Sequence, residues 1–132
     1  MVLVNRKGRS ASYEISWGEA LARVDYFGEI QNRDIESAHF SLNGDGRFYE
    51  CNKLILNVSD CSLAKVDVPE LLPVIATDLG ASQSIAAMKV AMIASDSVNI
   101  ERVDDYINRS KVSPWKFKLF STLGGAEQWL NA

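Results

Sequence analysis

The stretch Lys53 to Asp67, KLILNVSDCSLAKVD, decides the fold. Three apolar residues in a row, Leu54, Ile55 and Leu56, run into a polar segment carrying Asn57, Ser59, Asp60, Ser62, Lys65 and Asp67. A helix signal follows. A short apolar run without alternation reads as a strand covered on both faces. Where such a strand empties into a polar loop ahead of a helix, open α/β sheets place their binding groups. Asn57, Ser59, Asp60, Ser62 and Asp67 are therefore the candidate binding residues.

Upstream, Tyr13, Ile15 and Trp17 alternate with Ser12, Glu14 and Ser16, a strand with one wet face. Gly18-Glu19 makes a turn, and Ala22, Val24 and Tyr26 alternate with Arg23 and Asp25 in a second strand. So short a connection implies an antiparallel hairpin. Gly28 ends that strand. Ile35, Ala38, His39 and Leu42 then give the stripe of an amphipathic helix, with Asn32 as its expected N-cap and Asn43-Gly44-Asp45-Gly46 as its stop.

Downstream, Leu72, Ile75, Ala76 and Leu79 repeat the helical spacing, with Gly80 at the expected end. Pro73 requires that this helix begin close to it. Residues 88–94 read as a second strand buried on both faces. Ile100, Val103 and Ile107 mark a third helix, with Ser97 as the expected cap and Pro114 beyond its end. Trp115, Phe117 and Leu119 alternate with Lys116 and Lys118 as a last strand, and Ala126, Trp129 and Leu130 form a short terminal helix. The order ββαβαβαβα predicts an α/β fold. Its mixed sheet has four to five strands, an N-terminal antiparallel hairpin followed by parallel strands joined through right-handed crossovers. Strands 54–58 and 88–94 are expected to be adjacent, parallel and the most buried, with Trp129 packed against the sheet.

The 132 residues suit one domain, 1–132, and an apolar share of 47% is enough for a core. A net charge of −3 offers no basic surface for nucleic acid or anionic lipid. Residues 1–10 lack the apolar region of a signal peptide, and 85–94, interrupted by Lys89, is too short to span a bilayer. A cytoplasmic protein is expected. Cys51, Cys61 and the single His39 do not make a metal ligand set, so no metal or other cofactor is expected.

The element order resembles the STAS fold of anti-sigma-factor antagonists, and most of all its small uncharacterised bacterial members, relatives of the sporulation antagonist. Three segments carry the resemblance, which runs from about Ala20 onward. ARVDYFGEI at Ala22 to Ile30 is similar to the second strand and the glycine that opens onto the first helix. LILNVSDCS at Leu54 to Ser62 is similar to the family's L-L-D-L-S strand end. Lys118-Leu119-Phe120 followed by Ala126 and Trp129-Leu130 is similar to the ending of that branch. The resemblance implies a non-enzymatic module that binds a protein partner, or a small or lipidic ligand, near the loop after the central strand. A homodimer is compatible with it. Regulatory members carry an acidic residue at the strand end and a phosphorylated Asp-Ser pair at the next helix tip. This chain has Asn57 at the first position and Asp67-Val68 at the second, so the resemblance implies a module without the phosphoswitch.

Other residues admit sharper readings. Ser59 or Cys61 with His39 has the residue types of a small-molecule hydrolase or transferase, which is the alternative function. Against it, a catalytic histidine needs an orienting group and a nucleophile within reach, and His39 sits on an apolar stripe. Glu101, Asp104 and Asp105 lie opposite an apolar stripe and read as a solvated face. Asn43 to Gly46 lacks the ligand count of a calcium loop. Lys116 and Lys118 among aromatics follow from strand alternation and protect an edge.

Overall fold

The computed structural model describes the backbone of residues 3–6 and the whole of residues 12–132. Its main sheet has six strands in the order β1-β2-β3-β5-β7-β8. These are β1 (Leu3–Arg6), β2 (Tyr13–Gly18), β3 (Leu21–Tyr26), β5 (Lys53–Asn57), β7 (Lys89–Ile93) and β8 (Lys116–Phe120). The pairs β1–β2 and β2–β3 are antiparallel and the rest are parallel. Two short strands, β4 (Gly28–Glu29) and β6 (Cys61–Ser62), form a separate parallel ladder. The expected mixed α/β architecture is present. Strand β1 extends it beyond the four to five strands read from the sequence, and two-residue strands such as β4 and β6 are too short to leave a periodic signal.

The helices are α1 (Asn32–Asn43), α2 (Leu72–Ala81), α3 (Ser97–Arg109) and α4 (Leu123–Leu130). Sheet order advances with chain order, and right-handed crossovers in one direction deliver their helices to one face. Ala38 and Leu42 of α1, Val74 and Ile75 of α2, and Val103 and Tyr106 of α3 accordingly share one core with Val24, Leu54, Leu56, Val90 and Met92. The opposite face belongs to α4, whose Ala126 and Leu130 cover Ile55, Ala91 and Ile93. Strands β5 and β7 are therefore covered on both sides, as their unbroken apolar runs require, and they are adjacent and parallel.

Several boundaries differ from the sequence reading. Helix α1 is capped by Gln31, whose backbone N–H donates to Asp34 Oδ2 at 2.8 Å. Asn32 is already inside the helix and uses its side chain elsewhere. Helix α3 is capped by Asp96 rather than Ser97, its carboxylate accepting from Asn99 N at 2.9 Å. Helix α2 follows a 3-10 turn at Val68–Leu71 and continues through Gly80 to Ala81. Pro73 is its second residue, where an N–H is not needed. Gly28 has φ +72°, a conformation that favours glycine, at the exit from β3 into β4.

Trp129 is half-buried, its ring centroid 5.5 Å from that of Phe120. Leu54 is 1% exposed in the centre of the sheet. Leu54→Ala is expected to cost about 2–5 kcal/mol, and Trp129→Ala less than the ~3–5 kcal/mol of a fully buried aromatic. Urea denaturation of both variants checks the ranking. A larger loss at Trp129 would contradict this packing.

Candidate functional site

The loop after β5 is built by hydrogen bonds that reach in three directions. Alternation along β5 turns Asn57 toward the α4 face, opposite its register partner Asp25. Asn57 Nδ2 donates to Asp25 Oδ1 at 2.8 Å, and Asp25 also receives Arg23 Nε at 2.9 Å and Nη2 at 3.0 Å. Asn57 Oδ1 accepts from Ser59 N at 3.0 Å and Ser59 Oγ at 2.6 Å. The amide is thus used on both ends, as donor to a carboxylate and acceptor for the loop.

On the other side Asn99, 1% exposed on α3, holds the same loop. Its Oδ1 accepts from Leu63 N at 3.0 Å, and its Nδ2 donates to Val58 O at 2.9 Å and Cys61 O at 2.8 Å. Farther along, Asn32 clasps Asp67 reciprocally. Nδ2 donates to Asp67 O and Oδ1 accepts from Asp67 N, both at 2.8 Å. Ser62 Oγ accepts from Ala64 N at 3.2 Å, and Asp60 is exposed outside this network. The five candidate residues therefore do not converge. Asn57 and Ser59 join one network, Ser62 and Asp67 shape the loop, and Asp60 meets solvent. The anchors Asn32 and Asn99 did not emerge from sequence reasoning as loop holders.

Beneath this loop lies a cavity of about 40 Å³ between the sheet and α1–α3. Leu56 and Met92 of the sheet, Ile35 of α1, Val103 of α3, and Val58, Leu63, Val66, Val68 and Leu71 give it an apolar wall. Tyr26, His39, Arg102 and Tyr106 complete the lining. Tyr26 Oη, His39 Nδ1 and Arg102 Nε are buried without an aligned hydrogen-bond partner. Burial, and then the charge of Asp78, push the Tyr26 and Tyr106 phenols well above their ordinary range, so both stay neutral.

His39 and Asp78 face each other between α1 and α2. Nδ1 lies 2.8 Å from Asp78 Oδ2, within ion-pair distance but not aligned as an N–H···O bond. Asn43 Nδ2 donates to the other carboxylate oxygen at 3.1 Å. Ser59 Oγ is directed to Asn57, and Cys61 Sγ lies 3.5 Å from Val58 O. Burial, with Asp96 and Asp60 adding to it, pushes the Cys61 thiol up to about 12. Burial likewise lifts Cys51 to about 11, with smaller effects from Glu50 and Asp45. No group of three or more His, Cys, Asp or Glu side chains suited to a metal occurs among the described residues. Nor is any described helix long and apolar enough to cross a membrane.

Among solved structures, the anti-sigma factor antagonist SpoIIAA in its unphosphorylated form superposes with a TM-score of 0.59, covering 91% of this chain and 98% of its own at 12% identity. The chain has a STAS-like fold. An uncharacterised protein of the DUF3478 family with a SpoIIAA-like fold, from Shewanella loihica, gives a TM-score of 0.49 at 14% identity, covering 98% of this chain and 92% of its own. No protein-family model matches the sequence, and no curated protein matches it.

Within this STAS-like frame the two departures acquire physical reasons. A carboxylate at position 57 would face Asp25, whereas the Asn57 amide donates to it. Val68 is 3% exposed and lines the cavity, so its site is one for an apolar side chain.

Asn57→Asp is expected to destabilise the protein increasingly as pH rises from about 4 to about 7. The paired carboxyls would hold a proton in the folded state that the unfolded chain releases. Their raised folded pKa makes the variant closest to the parent below the ordinary carboxyl range, and stability is lost as pH climbs through that raised value. Urea midpoints relative to the parent at both ends of the range measure this, and a deficit that shrinks with rising pH would contradict it.

Thiol chemistry supplies a second check. At about pH 8 neither Cys51 nor Cys61 of the native protein is expected to be alkylated by iodoacetamide in the time that saturates the denatured chain. Rapid labelling of native Cys61, read by mass spectrometry, would mean that its thiol is available as a nucleophile.

Proposed function

We propose that this protein is a non-enzymatic binding module. It takes a small, largely apolar molecule with a hydrogen-bond-accepting end into the cavity beneath the loop at residues 58–68. The observation that carries this reading is the coincidence, in one cavity, of an apolar wall with two buried donors that lack partners, Tyr26 Oη and Arg102 Nε. Each such atom costs about 1–3 kcal/mol when left unmet. A carbonyl or carboxylate on a ligand accepts from the Tyr26 hydroxyl and from Arg102 Nε–H, while its alkyl part meets Leu56, Val103 and Leu63. The lining is buried apart from half-buried Ile35 and Arg102, which marks the approach. Arg102 Nη2 donates to Ala64 O at 3.2 Å, so the same side chain straps the loop.

The reading favours binding over catalysis. Ser59 is engaged with Asn57, and Cys61 keeps its proton, so the hydrolase or transferase alternative has no activated nucleophile. The cavity admits only a few non-hydrogen atoms unless the loop lifts. A longer, lipidic ligand would require Asn99 or Asn32 to release it.

A protein partner is a second reading, favoured by a separate observation. Leu72 is 61% exposed at the start of α2, next to exposed Pro69 and Glu70 and to the charged depression of Arg33, Lys65 and Asp67. The fold shared with an anti-sigma factor antagonist supports it by analogy alone. In either reading the module acts without a phosphoswitch at position 68, where a buried valine stands.

Titration with butyrate, followed by amide chemical shifts, tests the ligand reading, with n-butanol as the comparison lacking a carboxylate. A ligand this small reaches at best about millimolar affinity. Shifts at Tyr26, Leu63 and Val103 with butyrate, and their loss in a folded Val103→Phe or Leu63→Phe variant that fills the space, are the expected results. No response up to about 10 mM, or an unchanged response in both filled variants, would overturn it.

A further inference from the structure

The opposite end of the parallel strands carries a different chemistry. Lys53, Lys89 and Lys116 are register partners across β5, β7 and β8. Neighbouring strands lie about 4.8 Å apart, and like charges directly opposite one another are unfavourable. All three lysines line one cleft of about 490 Å³ at the strand starts, which no acidic side chain lines. Glu19 and Glu127 belong to the adjoining depression beyond Lys53.

Two of the lysines have acceptors in and after the last turn of α4. Lys53 Nζ donates to Asn131 Oδ1 at 2.9 Å, and Lys89 Nζ to Trp129 O at 2.9 Å and Ala132 O at 3.4 Å. These contacts place ammonium groups at the negative end of α4, a favourable arrangement. Lys116 is exposed, and its side chain takes no hydrogen bond or ion pair among the described residues. The cleft therefore presents a row of cations with spare donors. Ala86, Pro114 and Leu130 supply apolar wall beside it, and its size falls in the range of small-molecule sites.

We propose that this cleft is a phosphate-binding subsite, taking a phosphate monoester whose phosphoryl oxygens accept from Lys116 and from the free donors of Lys89 and Lys53. A dianion there offsets the like-charge row, and charge-assisted bonds to phosphate are the strong kind. The proposal is independent of the cavity, which lies on the other face of the sheet toward the other end of the strands.

The experiment titrates the protein with inorganic phosphate and, separately, phenyl phosphate against a constant ionic strength of chloride, reading amide shifts and affinity. Both probes are expected to shift Ala87, Lys89 and Lys116, and phenyl phosphate to bind more tightly because its ring meets the apolar wall. Equal affinities would assign the site to free phosphate instead of an ester. Lys116→Gln is expected to weaken phenyl phosphate binding about tenfold, and Lys116→Arg to restore most of it. Lys118→Gln, which removes a charge from the same strand outside the cleft, leaves affinity unchanged if the site is specific. The Lys116 side chain holds no structural bond, so its variants fold. Shifts absent from the cleft, or equal weakening by Lys116→Gln and Lys118→Gln, would overturn the proposal.

Discussion

Burying β5 and β7 on both faces is the constraint on which the rest of the structure depends. Leu54, Leu56, Val90 and Met92 require cover from one side, and Ile55, Ala91 and Ile93 from the other. The crossover helices supply the first cover as a consequence of handedness alone. They cannot supply the second, so the chain must spend α4 on it. One short helix shields β5, β7, β8 and the start of β3 at Leu21, which leaves the rest of the outer face of β2 and β3 to polar residues. Arg23, Asp25 and Asn57 meet there because no helix covers them.

The same constraint sorts the two ends of the strands. Carboxyl ends open into the loop that roofs the cavity, and amino ends expose their first residues around the terminus of α4. Alternation then decides chemistry by parity. Leu56 points into the cavity wall and Asn57 away from it, while Lys53 falls on the same face as Asn57 at the far end of the strand.

Much of this was legible in the sequence. The hairpin, the double-sided strands and the four helices follow from period-two and helical spacing, and β5 and β7 pair as their composition demands. The sites were less legible. In α3 the buried positions are Asn99, Val103 and Tyr106, a stripe turned by less than a quarter turn from the Ile100, Val103 and Ile107 reading, whose two isoleucines are half-buried at its margin. In α2 they are Val74, Ile75, Asp78 and Ala81, not the stripe through Leu72 and Leu79. Short helices with many apolar residues leave their phase ambiguous. With the right phase, Asn99 and Asp78 stand out as polar residues on an apolar face, which is the signal that was missed. In the loop after β5 the polar side chains of Asn57, Ser59 and Ser62 bond within the loop itself, and the apolar ones, Leu63, Val66 and Val68, line the cavity.

The sheet order β1-β2-β3-β5-β7-β8 follows the chain without a skip. Every main strand docks beside the one synthesised just before it, so long loops need not close before native pairing begins. Assembly can proceed by accretion as the chain emerges from the ribosome, with the hairpin as the starting edge. The exception is the face closed by α4. Until α4 arrives, Ile55, Ala91 and Ile93 remain an uncovered apolar strip on an otherwise formed sheet. A nascent chain stalled before Leu123 is then a native-like but sticky species, and the eight-residue helix α4 is what covers it.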